Sequence, residues 1–169
     1  MAWWASIRPV LGRAYEAAGY VPARALELAD AARRLYVDPE VGWELFEDTP
    51  PTLARLSQAG WTHAILSNHV PELRQIVAGL GLDDAFAYIS CSAETGYEKP
   101  HAQAFASVLD TLRPAEAWMV GDNVVADVLG AEALGIPAVL VRRPDPRAER
   151  YADSLAGVER FLADEAAAA

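Results

Sequence analysis

Scarcity is the first informative feature of this sequence. Its 169 residues include one cysteine, Cys91, so no disulfide can form within the chain, which suits a reducing, cytoplasmic setting. There are three histidines, and His63, His69 and His101 are too scattered for the spacing of a metal site. No apolar run reaches the roughly eighteen residues that a membrane span needs. No basic segment followed by an apolar stretch marks a signal peptide. Positive charge is short as well, with 14 Lys and Arg against 24 Asp and Glu and a net charge of −10. Phosphate backbones attract basic surfaces, so nucleic acid is not an expected partner. A small anion could be handled here only through local cations, a lysine or a metal. What is present is an ordinary globular composition, 53% hydrophobic and 22% charged, without internal repeats. The length fits one domain, or one domain with a small insertion, and such a chain buries about 70% of its unfolded surface.

The pattern changes near residue 46. Upstream, Trp4, Ile7, Leu11, Tyr15 and Ala18 recur at helical spacing, with Pro9 expected to kink that helix or to start it after Ser6. Gly19 closes it and Pro22 opens a second helix to about Tyr36, so residues 1–45 read as a small helical hairpin followed by a connection. Asp38-Pro39 breaks the pattern, and 41–48 reads as a connection. Of the aromatics Trp3, Trp4, Trp43 and Phe46, most are expected to pack rather than to line a substrate cleft. Downstream, over 46–169, strands and helices alternate. Thr49 is the expected N-cap of a helix with Pro50 in its first turn. Strands are expected over 62–66, 87–90, 117–120 and 138–141, and helices over 71–80, 100–112 and 124–134. A final helix from Ser154 fades into four alanines, expected to fray. The alternation predicts an α/β fold with a doubly wound parallel sheet.

Three strand ends carry polar residues. Ser67-Asn68 follow the first strand, Lys99-Pro100 come after the loop beyond the second, and Asp122 follows Gly121 at the tip of the third, with Asp127 at the start of the next helix. Ligands of open parallel sheets bind beyond the carboxyl ends of the strands. Taken singly, each residue has an ordinary reading: Ser67 a helix cap, Lys99 a solvated charge, the two aspartates caps. Together they set a hydroxyl, an ammonium and two carboxylates on one rim, which is what a phosphoryl group needs. The Ser67 hydroxyl and a backbone N–H beside Asn68 would hold phosphate oxygens, and Lys99 would neutralise developing negative charge. Asp122, with Asp127, would offer hard oxygens to Mg²⁺. Pro100 would fix the backbone from which Lys99 reaches inward.

Leu66-Ser67-Asn68, Glu98-Lys99-Pro100 and Gly121-Asp122 through Asp127 resemble, in order and spacing over 46–141, the second, third and fourth motifs of the haloacid dehalogenase-like hydrolases. The N-terminal hairpin resembles the cap that one subgroup inserts after its first core strand. The resemblance implies a Rossmann-like core in which Ser67 binds phosphate and Lys99 steadies nucleophile and phosphate. It implies that Asp122 holds Mg²⁺, and that Asp127 supports that site or reaches the metal through water. The family's dehalogenases use no metal and typically carry Ser-Ser-Asn where this chain has Gly121-Asp122-Asn123. That difference favours hydrolysis of a small phosphate ester.

In this family the nucleophile is an aspartate in an Asp-x-Asp-Gly-Thr-like motif at the tip of the first core strand, ahead of the cap. No such motif precedes Trp3; Asp83-Asp84 follows a helix, and Asp145-Pro146 lies past the last main strand. The expectation is therefore a chain that lacks its true start, with nucleophile, general acid and one metal ligand encoded upstream and no turnover by these 169 residues alone. The absent strand would lie between those ending at Leu66 and Val120. A gap there leaves backbone groups unpaired, so those strands pair directly, another segment fills the place, or upstream sequence does. The competing expectation is a non-catalytic relic that binds a phosphorylated ligand or a protein partner through the same rim. A phospho-accepting signalling domain also uses carboxylates and a lysine, but this chain has no acidic pair after a first strand.

Overall fold

The computed structural model describes residues 2–166. Its elements run α1 (Ala2–Ala17), α2 (Pro22–Val37), α3 (Pro39–Gly42), α4 (Thr49–Gln58), β1 (Ala64–Ser67), α5 (Leu73–Gly79), β2 (Tyr88–Cys91), α6 (Ser92–Thr95), α7 (Ala102–Leu112) and β3 (Met119–Gly121). A π-helical turn (Val124–Leu129) leads into α8 (Gly130–Glu132), followed by β4 (Ala138–Val141), β5 (Tyr151–Ala152) and α9 (Glu159–Ala166). Three of the four terminal alanines lie outside the described residues. The chain divides into two compact units, Met1–Leu45 with His69–Asp83, and Phe46–Asn68 with Asp84–Ala169.

The first unit is helical. α1 begins at Ala2 and runs through Pro9, so the proline neither starts the helix nor ends it. Trp4, Val70 and Ile76 form its buried centre, with Trp3, Ile7, Leu11, Val37, Trp43 and Leu80 packed against them. The Trp4 indole N–H donates to both oxygens of Glu72, at 3.0 and 2.8 Å, and Arg33 donates to the same carboxylate at 3.0 Å. Burial alone would raise the Glu72 pKa; the donors from Trp4 and Arg33 outweigh it and hold the carboxyl below its usual range. Three of the four aromatics of the first stretch are thus packing residues. Residues 69–83 belong to this unit although they follow the boundary at 46, because α5 buries Leu73, Ile76 and Val77.

The second unit holds the parallel strands. β1 and β2 pair from Ala64↔Tyr88 to Ser67↔Cys91, while β3, β4 and β5 form a separate ladder in that order. Among the described residues β1 pairs only with β2 and β3 only with β4, so the direct pairing of β1 with β3 does not occur. β4 is buried on both faces, as a parallel strand between helical layers must be. Ala138 and Leu140 pack with Phe105, Val124, Val128 and Ala131, whereas Val139 and Val141 pack with Ala152, Val158 and Leu162. Leu66 of β1 and Met119 of β3 both rest on the first of these clusters, so one apolar layer covers both ladders.

The helix start at residue 49 differs from the expectation. Thr49 is already helical, and Asp48 stands at the cap position without a side-chain capping bond. Its carboxylate is drawn away by stronger partners: Arg142 donates at 2.6 Å and the Leu155 N–H at 2.7 Å. The Arg142 guanidinium in turn lies 3.5 Å above the ring of Phe46, which is otherwise largely exposed. His63 is structural, its Nε2 within 3.1 Å of the Leu53 carbonyl and 3.0 Å of the Ser57 hydroxyl.

Candidate active site

Every residue singled out on the rim belongs to the α/β unit. β1 ends on Ser67, which is half-buried and whose hydroxyl makes no hydrogen bond among the described residues. Asn68 follows, and both ends of its side-chain amide are committed to the backbone of Lys99. Oδ1 accepts from the Lys99 N–H at 2.7 Å, and Nδ2 donates to the Lys99 carbonyl at 2.9 Å. Lys99 lies in no regular element, so this clamp from a residue 31 positions earlier sets where its side chain starts. The Asn68 side-chain amide thus positions the lysine, and the phosphate contact expected beside this residue rests on a backbone N–H, not on the amide.

The Lys99 ammonium meets Asp127 at 2.7 Å, with the two side chains 10% and 6% exposed. The other Asp127 oxygen accepts the Asn123 N–H at 2.9 Å. Gly121 makes room for this arrangement, since a Cβ there would overlap the Asp127 carboxylate. The turn that carries Asp127 is capped by neither aspartate. Asn123 does it, its Oδ1 accepting the N–H groups of Val125 and Ala126 at 3.0 and 2.9 Å. The turn is π-helical rather than the expected regular helix, a widening often found at functional sites.

Asp122 stands one residue past β3. Its side chain is 53% exposed, and its one ion pair among the described residues is with Arg143, Nε to Oδ2 3.5 Å, whose side chain is 80% exposed. The ordinary reading of Asp122 as a helix cap therefore fails: no backbone N–H claims its oxygens. Among the described residues no group of three or more His, Cys, Asp and Glu is placed to hold a metal. The donors at the rim are carboxylate oxygens without a soft ligand. Such a set fits Mg²⁺, which keeps several waters and takes one or two carboxylates together with substrate phosphate. Asp122 has oxygens free for that role, whereas those of Asp127 are engaged by Lys99 and Asn123.

Sequence reasoning missed the Asn68 clamp, the Asn123 cap and Arg143. An Asn just ahead of an apolar run is a recognisable cap signal. Arg143 announces itself only as a basic residue just beyond a strand that ends on the same rim.

Residues 2–135 match the family model of the haloacid dehalogenase-like hydrolases. The chain belongs to that family. Among curated relatives, this chain is 38% identical over 149 residues to a phosphoserine phosphatase of Thermus thermophilus, covering 84% of this chain and 57% of that protein. It is 37% identical over 122 residues to a ribulose-1,5-bisphosphate 5-phosphatase of Halopiger xanaduensis, covering 70% of this chain and 50% of that one. The chain thus spans half to three-fifths of the length of these two relatives. In fold it is similar to a HAD phosphatase from Thermococcus onnurineus, with TM-score 0.73 at 22% identity over 94% of this chain and 89% of that chain. It also resembles a 2-haloacid dehalogenase from Pseudomonas syringae, with TM-score 0.69 at 26% identity over 96% of this chain and 72% of that chain. Hydrolases of this family with different leaving groups share the fold, so the choice between them rests on the site.

Proposed function

We propose that this chain carries the phosphate- and metal-binding part of a Mg²⁺-dependent phosphohydrolase acting on a small phosphorylated metabolite. The observation that carries the reading is Asp122, a carboxylate at the tip of β3 that no cap consumes, one strand end away from the buried Lys99–Asp127 pair. In this reading Asp122 ligates the metal directly, and Asp127 supports the site by holding Lys99. Mg²⁺, when bound, supplies positive charge to the oxygens of the phosphoryl group. The Ser67 hydroxyl holds another phosphate oxygen, and the Lys99 ammonium shares its charge between Asp127 and the group being transferred. The nucleophile is an aspartate on a strand beyond this sequence that pairs with the open edges of β1 and β3. Those edges, unpaired among the described residues, and the greater length of the relatives support this. The buried single cysteine suits the cytoplasm, and no helix among the described residues is long and apolar enough to cross a membrane.

A thermal-shift titration with Mg²⁺ tests the metal assignment. At ten times Kd, a ligand that binds only the folded state stabilises it by about 1.4 kcal/mol. Wild type should show a rising Tm with millimolar Mg²⁺, Asp122→Asn should lose the rise, and Asp127→Asn should keep part of it. Equal rises in wild type and Asp122→Asn would refute the assignment.

A further inference from the structure

Among the described residues, Arg143 is the cation paired with Asp122, and the roles above leave it unused. The β3–β4 register, Gly121 opposite Leu140, brings the residues just past the two strands to the same rim, and the Arg143 side chain reaches across to Asp122. Its remaining N–H groups have no partner among the described residues. The neighbouring cations are committed: Lys99 to Asp127, and Arg142 to Asp48 and the face of Phe46.

Resting on the phosphohydrolase reading, we propose that Arg143 selects substrates that carry a second anionic group, a carboxylate or a further phosphate, beside the phosphate ester. Without metal it pairs with Asp122. With that carboxylate engaged by Mg²⁺, the guanidinium would lose its counter-charge and would turn outward to the substrate. The turn costs little, because an exposed ion pair at 3.5 Å on a side chain 80% exposed is weakly held. The guanidinium that results is unpaired and planar, and it presents a fork of donors that matches a carboxylate or phosphate in bidentate fashion. A doubly anionic ester also needs such a local cation to approach a protein of net charge −10.

Calorimetric titration of the full chain in millimolar Mg²⁺ with phosphoglycolate and with ethyl phosphate separates the two groups. Both probes are two-carbon phosphate esters, and only the first has a carboxylate. Wild type should bind phosphoglycolate about tenfold more tightly, the scale of one charge-assisted bidentate contact. Arg143→Gln should bind both with the wild-type affinity for ethyl phosphate, and Arg143→Lys should recover part of the preference. In the absence of ester, Arg143→Gln should bind Mg²⁺ several-fold more tightly, because a competing cation is gone. Equal binding of both esters by wild type, or an undiminished preference in Arg143→Gln, overturns the role of Arg143 and leaves the phosphohydrolase reading standing. Failure of both esters to bind wild type overturns both readings.

Discussion

Breaking the Lys99–Asp127 pair from either side should cost far more than neutralising it whole. The two charges are 2.7 Å apart, with side chains only 10% and 6% exposed, so a partner left behind stays in a poorly solvated place. Removing one member of a buried pair typically costs about 3–5 kcal/mol. Lys99→Met should fall near the lower figure, because Asp127 keeps the Asn123 N–H as a donor. Asp127→Asn should fall higher, since it strands an ammonium with three donors and no anion. The double variant Lys99→Met/Asp127→Asn leaves no net charge and keeps an oxygen for the Asn123 N–H, so about 1–2 kcal/mol is expected. The coupling between the two sites is then about 6 kcal/mol, comparable with the whole stability of a marginal domain. Urea unfolding at constant m-value reads these differences. Repeating it at tenfold higher salt should change them little, because a buried pair is weakly screened. Single variants that each lose under about 1 kcal/mol, or costs that simply add, would show that water reaches the pair and that the reasoning is wrong.

Gly121→Ala should destabilise by about 2 kcal/mol or more, because the new methyl overlaps the Asp127 carboxylate and must drive it off the Asn123 N–H. Urea melts give the cost and faster amide exchange at Asn123 reports the displacement; unaltered protection there would contradict the packing argument. Asp48 supplies an acid-sensitive contact. Burial pushes its pKa up, but donation from Arg142 and the Leu155 and Ala156 N–H groups outweighs it, leaving the folded-state pKa below the ordinary 3.8. The contribution of a depressed carboxylate is complete above its unfolded pKa and lost as pH falls through the folded one. Stability should therefore fall below about pH 4, and Asp48→Asn should flatten that part of the profile. An identical slope in the variant would remove Asp48 from the acid response.

Where a structural cause is local, the sequence carried it. The run Ala138–Val141 is apolar at every position, and β4 is buried at every position, because a strand covered on both faces has no polar side to show. Pro22 opens α2 as its fixed φ allows. Ser67 and Asp122 stand at the ends of β1 and β3, since an apolar run that stops at a polar residue marks both the strand and its tip. Distant partners carried no such mark. Asp48 abandons its cap for an arginine 94 residues away and a backbone N–H 107 away. β5 is two residues long and owes its pairing to β4, too short for any period to show. The π-helical turn keeps the composition of a helix, so no sequence period distinguishes it from a regular one. The Asn68 clamp on Lys99 joins two segments whose spacing alone says nothing of contact.

That clamp also divides what is fixed in this region from what is free. The carbonyl and N–H of Lys99 are held from the end of β1, and the short stretch between β2 and the lysine, with α6 in it, does not bear that duty. The spacing between β2 and Lys99 is then under no strict constraint from the lysine itself. Residues could be gained or lost around Gly96, and the surface there could be recast for another ligand, while the ammonium stays where the strand end puts it. A single amide thus uncouples the history of a loop from the geometry of the charge that follows it.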